Sequence, residues 1–228
     1  LALTEWAYGN SLLGQQTLVY DEPGSVGIDE TALADAVSII RDSVEGNEIP
    51  GAVILVARRG RVVLHQAFGY RDINEQKRLQ KDSLFRMASN SKALTAAGVL
   101  VLVDDGLIDF DESIATYLPA FANDSWKPVT IRHLLTHTSG SPIDSLFITP
   151  LLPSDGDKYP NRLIAEVNRF ASSPLNESPG SKYSYNNAGY NILAALIEKI
   201  TGSYKQHLRQ RIYEPIGMME SYNHESDA

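Results

Sequence analysis

The sequence has 228 residues, of which 43% are hydrophobic and 21% charged, a composition that excludes wholesale disorder and collagen-like repeats. It carries 20 Lys plus Arg against 28 Asp plus Glu, a formal charge of −8, so attraction to phosphate backbones or anionic lipid would need a local basic patch. Cysteine is absent, which removes disulfides, thiolate zinc sites and cysteine nucleophiles together and leaves the redox compartment open. The densest basic stretch, Arg58-Arg59-Gly60-Arg61, is short and falls where a hairpin tip is expected, so no nucleic-acid partner is predicted. The longest apolar run, Ala96 to Val103, is far below the roughly 20 residues of a spanning helix, so no membrane span is predicted. The chain begins at Leu1 rather than Met, as expected of a processed or partial form.

In chain order, residues 1–28 are weakly periodic and contain several Gly, Asn and Pro residues, the pattern of an irregular arm. Asp29 is a good N-cap, and Leu33, Val37, Ile40 and Val44 follow at helical spacing, which predicts an amphipathic helix from Glu30 to Glu45, stopped by Gly46 and Asn47. Ala52 to Ala57 is a run without alternation, predicting a strand covered on both faces. Val62 to Tyr70 returns beside it, with Arg58 to Arg61 as the turn and Gly60 supplying the unusual backbone angle. After a polar connection from Arg71 to Asp82, helices are predicted over Ser89 to Asp104, ended by Gly106, and over Val129 to His137, Leu163 to Ala171, Ala188 to Ile200 and Tyr204 to Tyr213. Ser141 to Pro160 carries four prolines and reads as a long irregular loop of the sort that covers binding sites.

Neither Gly-x-Ser-x-Gly, Gly-x-Gly-x-x-Gly nor a P-loop occurs, which argues against an α/β-hydrolase and against nucleotide binding. His133 and His137 stand four apart on a predicted helix, as two metal ligands would, but Leu134 replaces the glutamate of a zinc peptidase; hydrogen-bonded structural histidines are the better reading. His65, His207 and His224 have no partner pattern and read as surface or strand residues. The informative pair is Ser89 and Lys92, whose spacing of three places them side by side on a helix. A serine hydroxyl is a weak nucleophile until a nearby base takes its proton, and a desolvated lysine can do so or hold the relay partner. The competing reading is an N-capping serine with a solvated lysine. Pro179 to Asn187 adds Tyr185 and Asn187 just before a helix: a tyrosine near an ammonium becomes a better base, and an asparagine amide can orient a carbonyl or the lysine. Asn187 can also cap the helix that starts at Ala188.

With these elements the chain resembles the serine beta-lactamase and penicillin-binding protein superfamily, in particular its class C beta-lactamase-like branch with D-aminopeptidases, DD-carboxypeptidases and esterases. The resemblance also rests on Ile49-Pro50-Gly51, Phe85 to Ser89, Asp105 to Asp109 with Tyr117-Leu118-Pro119, His133 to Gly140, and Glu214 to Met218, and covers about residues 30 to 220. It implies an acyl-transfer enzyme in which Ser89 attacks a carbonyl, Lys92 and Tyr185 manage the proton, Asn187 binds substrate, and the Ser89 backbone N–H is half of the oxyanion hole. It implies a small acyl or peptide substrate and neither metal nor organic cofactor, and it leans the location towards periplasmic or extracellular. Asn123-Asp124-Ser125 and Asn176-Glu177-Ser178 fit glycosylation acceptors.

The branch's third motif, Lys or His before a small residue and Gly on a later strand, has no match between Ala188 and Ala228; Lys199 to Gly202 and His137 to Gly140 are decoys. The expected architecture is therefore α+β: an arm over 1–28, then a beta-lactamase/DD-peptidase-like domain over 29–228, with sheet strands missing at its C-terminal end. Its helical subdomain, about 89–170, is expected to pack on an antiparallel sheet flanked by helices, with the site in the cleft. A separate C-terminal fragment, a second copy, or truncation would account for the missing strands, a fragment of a longer hydrolase being favoured. The alternative function is a catalytically silent module of the same fold that binds peptides or an assembly partner.

Overall fold

The computed structural model describes residues 19–142 and 161–223. It is a mixed helix and sheet protein with a small antiparallel sheet, the α+β class expected, and it divides into two compact units, Leu1–Arg86 and Met87–Ala228.

The first unit is built on one helix and the sheet. Helix α1 spans Glu30–Glu45, where the Asp29 carboxylate accepts the Ala32 N–H at 2.8 Å and satisfies one of the first-turn donors. Strands β1 (Gly51–Arg58) and β2 (Arg61–Asp72) pair antiparallel in a register that sets Gly51 opposite Gly69 and Arg58 opposite Arg61. Arg59 joins Gly60 in the left-handed region, at φ +52° and +74°, as a two-residue hairpin turn with right-handed strand twist requires. Gly69 is obligatory: a Cβ there would stand 2.3 Å from the Pro50 carbonyl oxygen.

Two expectations in this unit need correction. The polar connection after β2 holds a short strand, β3 (Lys77–Arg78), whose charged residues conceal it from a hydrophobic pattern. And β1 is not covered on both faces: none of its residues is fully buried, and Leu55 is 48% exposed. Its sheet neighbour is β2 alone among the described residues, which leaves its other edge unpaired there. Of the expected arm, residues 1–18 lie outside the described part; the rest runs beside β2, the Val62 N–H donating to the Val19 carbonyl at 2.8 Å, and ends in a 3-10 turn at Pro23–Val26.

The second unit is helical and holds the main core. A 3-10 turn, Ala88–Asn90, leads into α2 (Ser91–Asp104), which ends in a Schellman arrangement. There Leu107 N–H bonds Leu102 O at 2.9 Å, Gly106 N–H bonds Val103 O at 3.0 Å, and Gly106 takes φ +70°. Helices α3 (Ile131–Leu135), α4 (Arg162–Asn168), α5 (Ala188–Thr201) and α6 (Tyr204–Leu208) follow. The unit that contains residues 89–170 thus also contains α5 and α6.

Helix α5 is central, buries Ile192, Leu193, Leu196 and Ile197 completely, and contacts α2, α3, α4 and α6. Fully burying a side chain of this size is worth roughly 1.5–3 kcal/mol, so this apolar face positions what precedes α5 in the chain. Gly98 lets α2 approach closely, because a Cβ there would meet Leu208 Cδ2 at 2.8 Å and Ile197 Cδ1 at 3.1 Å. His207 is not a surface residue: it is 6% exposed, with Nε2 3.0 Å from the Gly98 carbonyl oxygen, because α6 turns that face inward. His65 lies on β2 beside the Tyr20 hydroxyl, and His224 lies outside the described residues.

Candidate active site

Ser89 does not open the α-helix as expected; it lies two residues ahead of it, in the 3-10 segment Ala88–Asn90. In a 3-10 turn residues i and i+3 eclipse, so the geometry still stacks Lys92 over Ser89, with Nζ donating to Oγ at 3.1 Å. The preceding Ala88 holds φ +44°, a strained conformation for a residue with a Cβ, costing about 1–3 kcal/mol.

The second half of the cluster comes from the segment that enters α5. The Tyr185 hydroxyl donates to Ser89 Oγ at 2.7 Å, and Lys92 Nζ donates to Asn187 Oδ1 at 2.8 Å. The two segments lie on the elements that the core packs together, α2 and α5. Asn187 occupies the N-cap position of α5 but makes no capping bond with its side chain, which is turned to Lys92. Its neighbour does that work: Asn186, 5% exposed, accepts the Gly189 N–H at 3.0 Å and donates to the Ser184 carbonyl at 3.1 Å. All four predicted site residues, Ser89, Lys92, Tyr185 and Asn187, are therefore joined by hydrogen bonds within the second unit.

Electrostatically the cluster is cationic. Both hydrogen-bond acceptors of Lys92 named above are neutral, and its ammonium lies 4.9 Å from the Tyr185 ring centre and 5.8 Å from that of Tyr190. The Lys92 ammonium, and after it the Ser89 hydroxyl, hold the Tyr185 phenol below its ordinary range. Tyr190 is pushed the other way by burial, and its hydroxyl donates to the Leu135 carbonyl at 3.1 Å. A phenol that ionises more readily beside a serine hydroxyl can receive the serine proton.

His133 and His137 do not share a helix face. Helix α3 ends at Leu135, and His137 follows in the left-handed region at φ +57°. His133 Nδ1 accepts the Thr130 N–H at 3.1 Å within a capping box. His137 Nδ1 faces the Asn186 N–H at 3.4 Å, and its ring centre lies 4.6 Å from that of Tyr185 and 5.1 Å from that of Tyr190. Sequence reading took His137 for a hydrogen-bonded structural histidine and did not single out Asn186 or Tyr190, although the repeated aromatic and amide residues between Tyr183 and Tyr190 carried a signal. Among the described residues no group of three or more potential ligands is placed to hold a metal ion, and no helix is long and apolar enough to cross a membrane.

The two decoys are structural. Gly202 is the left-handed C-cap of α5 at φ +84°. Gly140 sits at φ +77°, where a Cβ would stand 2.1 Å from the Glu177 carbonyl oxygen, because His137–Gly140 runs against residues 176–184. The loop expected to shape the pocket, 141–160, lies outside the described residues beyond Pro142.

A lysine, a serine and a tyrosine thus share hydrogen bonds across two helix starts. The beta-lactamase family profile matches residues 36–228, and the chain belongs to that family, within the serine beta-lactamase and penicillin-binding protein superfamily. It is 33% identical over 177 residues to a penicillin-binding protein of Bacillus subtilis strain 168, covering 74% of this chain and 37% of that protein. Among solved structures it is similar to the octameric penicillin-binding protein homologue of Pyrococcus abyssi, with TM-score 0.72 and 28% identity over 86% of this chain and 45% of that one. It is also similar to the D-amino acid amidase of Ochrobactrum anthropi SV3, with TM-score 0.68 and 28% identity over 84% of this chain and 52% of that one. The chain thus spans between about a third and about half the length of these relatives.

Proposed function

We propose that Ser89 is the nucleophile of a serine hydrolase that cleaves an ester, an amide or a D-amino-acid peptide through an acyl-enzyme, with beta-lactams as a special case. The observation that carries this reading is the continuous hydrogen-bond chain from Tyr185 through Ser89 and Lys92 to Asn187. Ser89 Oγ bonds to the substrate carbonyl carbon while its proton passes to the Tyr185 phenolate, and the C=O electron pair moves onto oxygen. Collapse of that tetrahedral species expels the alcohol or amine, which takes the proton back from Tyr185. Water then enters by the same route and releases the acyl group as an acid.

Lys92 has two parts in this sequence. Its charge favours the phenolate, and its bond to Asn187 fixes the ammonium against the serine. The Ser89 backbone N–H supplies one oxyanion donor, a contribution whose loss typically costs about a hundred- to a thousandfold in rate. Penicillin-binding and D-amino acid amide chemistry in the names of the relatives support the substrate class.

The test is intact mass spectrometry before and after a fluorophosphonate probe, with Ser89→Ala as control. One adduct that maps to Ser89 and disappears in the variant is expected. A wild-type chain that takes no label at any pH would instead favour the silent binding module.

A further inference from the structure

We propose that His137 is a positioning residue: its neutral ring brackets the segment that presents Tyr185, and protonating it releases that segment and switches the site off. For its kinetic consequence this rests on the reading of Ser89 as nucleophile; for its structural consequence it does not.

His137 leaves α3 in a left-handed conformation, which turns both its carbonyl and its ring towards the chain entering α5. The carbonyl oxygen accepts the Ser184 N–H at 2.8 Å, and ring Nδ1 faces the Asn186 N–H at 3.4 Å. One residue thus holds the chain on either side of Tyr185. The same ring packs against Tyr185 at 4.6 Å and Tyr190 at 5.1 Å between centres, and meets Tyr183 edge-on at 5.9 Å.

The Asn186 contact needs a lone pair on Nδ1, so the ring carries its proton on Nε2 and is neutral. A second proton would turn Nδ1 into a donor facing a donor. It would also place an imidazolium in a cluster that already holds an ammonium. Among the described residues, the titratable groups facing His137 are Lys92 from α2, Tyr183 and Tyr185 from the entering segment, and Tyr190 from α5. None of these is a carboxylate that would compensate the new charge. Burial first, and then Lys92, hold the imidazole below its ordinary range, so the ring is neutral at pH 7 and the release belongs to the acid side.

Two substitutions separate the acceptor from the titration. His137→Asn tolerates a positive φ and keeps an acceptor near the position of Nδ1, but cannot be protonated. His137→Phe keeps a ring and loses the acceptor. In His137→Asn, fluorophosphonate labelling of Ser89 is expected to lose the step that follows His137, leaving only the rise that follows Tyr185 ionisation, while the plateau stays within about threefold of wild type. It is expected to fall about a hundredfold at every pH in His137→Phe, the usual consequence of misplacing a reacting group by about 1 Å.

The reaction-independent readout is NMR of the intact chain: imidazole 15N shifts for the tautomer, and the Tyr185 ring 13C signals against pH. An unprotonated Nδ1 near pH 7.5, with Tyr185 signals that move as His137 titrates and do so only in wild type, is expected. A proton on Nδ1 at that pH, or Tyr185 signals indifferent to the His137 titration, overturns the proposal. Persistence of the His137 step in His137→Asn overturns it as well. If wild type takes no label while the NMR coupling is present, the nucleophile reading fails and the bracketing stands.

Discussion

The Tyr185 hydroxyl donates to Ser89 Oγ across 2.7 Å although 96 positions separate the two residues in the chain. One stands in the turn before α2 and the other in the segment before α5, so the contact exists because the cores of those two helices pack together.

Tyr185→Phe keeps the ring and removes the proton acceptor. Labelling at Ser89 is expected to fall by about a hundredfold or more, the ordinary worth of a positioned general base. Tyr185 is 43% exposed, so the melting temperature is expected to stay close to wild type. A large drop in stability with unchanged labelling would reverse the roles assigned here.

The lowered Tyr185 pKa has a definite sign. A phenol is active as a base only when ionised, so the labelling rate rises with pH as the phenolate fraction grows, and reaches its midpoint below the ordinary tyrosine range. Lys92→Met removes the first cause of the lowering, and the Tyr185 titration is expected to move back upwards. Ring 13C shifts followed against pH in both proteins check this directly.

The adjacent asparagines are expected to separate stability from chemistry. Asn186→Ala leaves the Gly189 N–H without its acceptor and should cost about 1 kcal/mol or more, read by denaturant unfolding. Asn187→Ala frees the Lys92 ammonium from its amide acceptor and should slow labelling with little change in unfolding. Equal losses of stability in the two variants would contradict this division.

Gly140→Ala tests the bracing of the same segment. The new Cβ would stand 2.1 Å from the Glu177 carbonyl at a backbone angle unsuited to side chains, so a destabilisation of roughly 1–3 kcal/mol is expected, with slower labelling because residues 176–184 must shift. A stable, fully labelled variant would show that this loop pairing does not position the site.

The core supplies a control remote from the chemistry. Trp126 is completely buried, meets Phe121 edge-on at 4.9 Å between ring centres, and donates its indole N–H to the Ser173 carbonyl at 2.8 Å. Trp126→Ala is expected to cost about 3–5 kcal/mol, a large share of the roughly 5–15 kcal/mol that holds a domain of ordinary stability. Thermal unfolding followed by circular dichroism measures it.

Local pattern made much of this molecule legible. Asp29 and Gly46 bound α1 because capping satisfies donors and acceptors within a few residues, and α5 follows from an apolar repeat that any helix would express. Ser89, Lys92, Tyr185 and Asn187 were identifiable as two short motifs, each with its side-chain chemistry intact. Other features were hidden for a physical reason. The charged strand β3 forms because β2 offers it backbone groups, and His207 is buried because α6 packs against Gly98, neither of which is written in a hydrophobic period. The 3-10 turns at Ile114–Thr116 and Pro119–Phe121 were likewise unannounced.

By itself the sequence determined the longer helices α1, α2 and α5, the hairpin and the residue types of the candidate site, because propensity, capping and hydrophobic period act over a few positions. Only the tertiary structure decided which atoms of that site meet. It placed Ser89 in a 3-10 turn rather than a helix, gave capping to Asn186 and the lysine to Asn187, and parted His133 from His137. Those outcomes depend on a left-handed residue after α3 and on the burial of α5, interactions between segments that are distant along the chain and become neighbours only when the core closes.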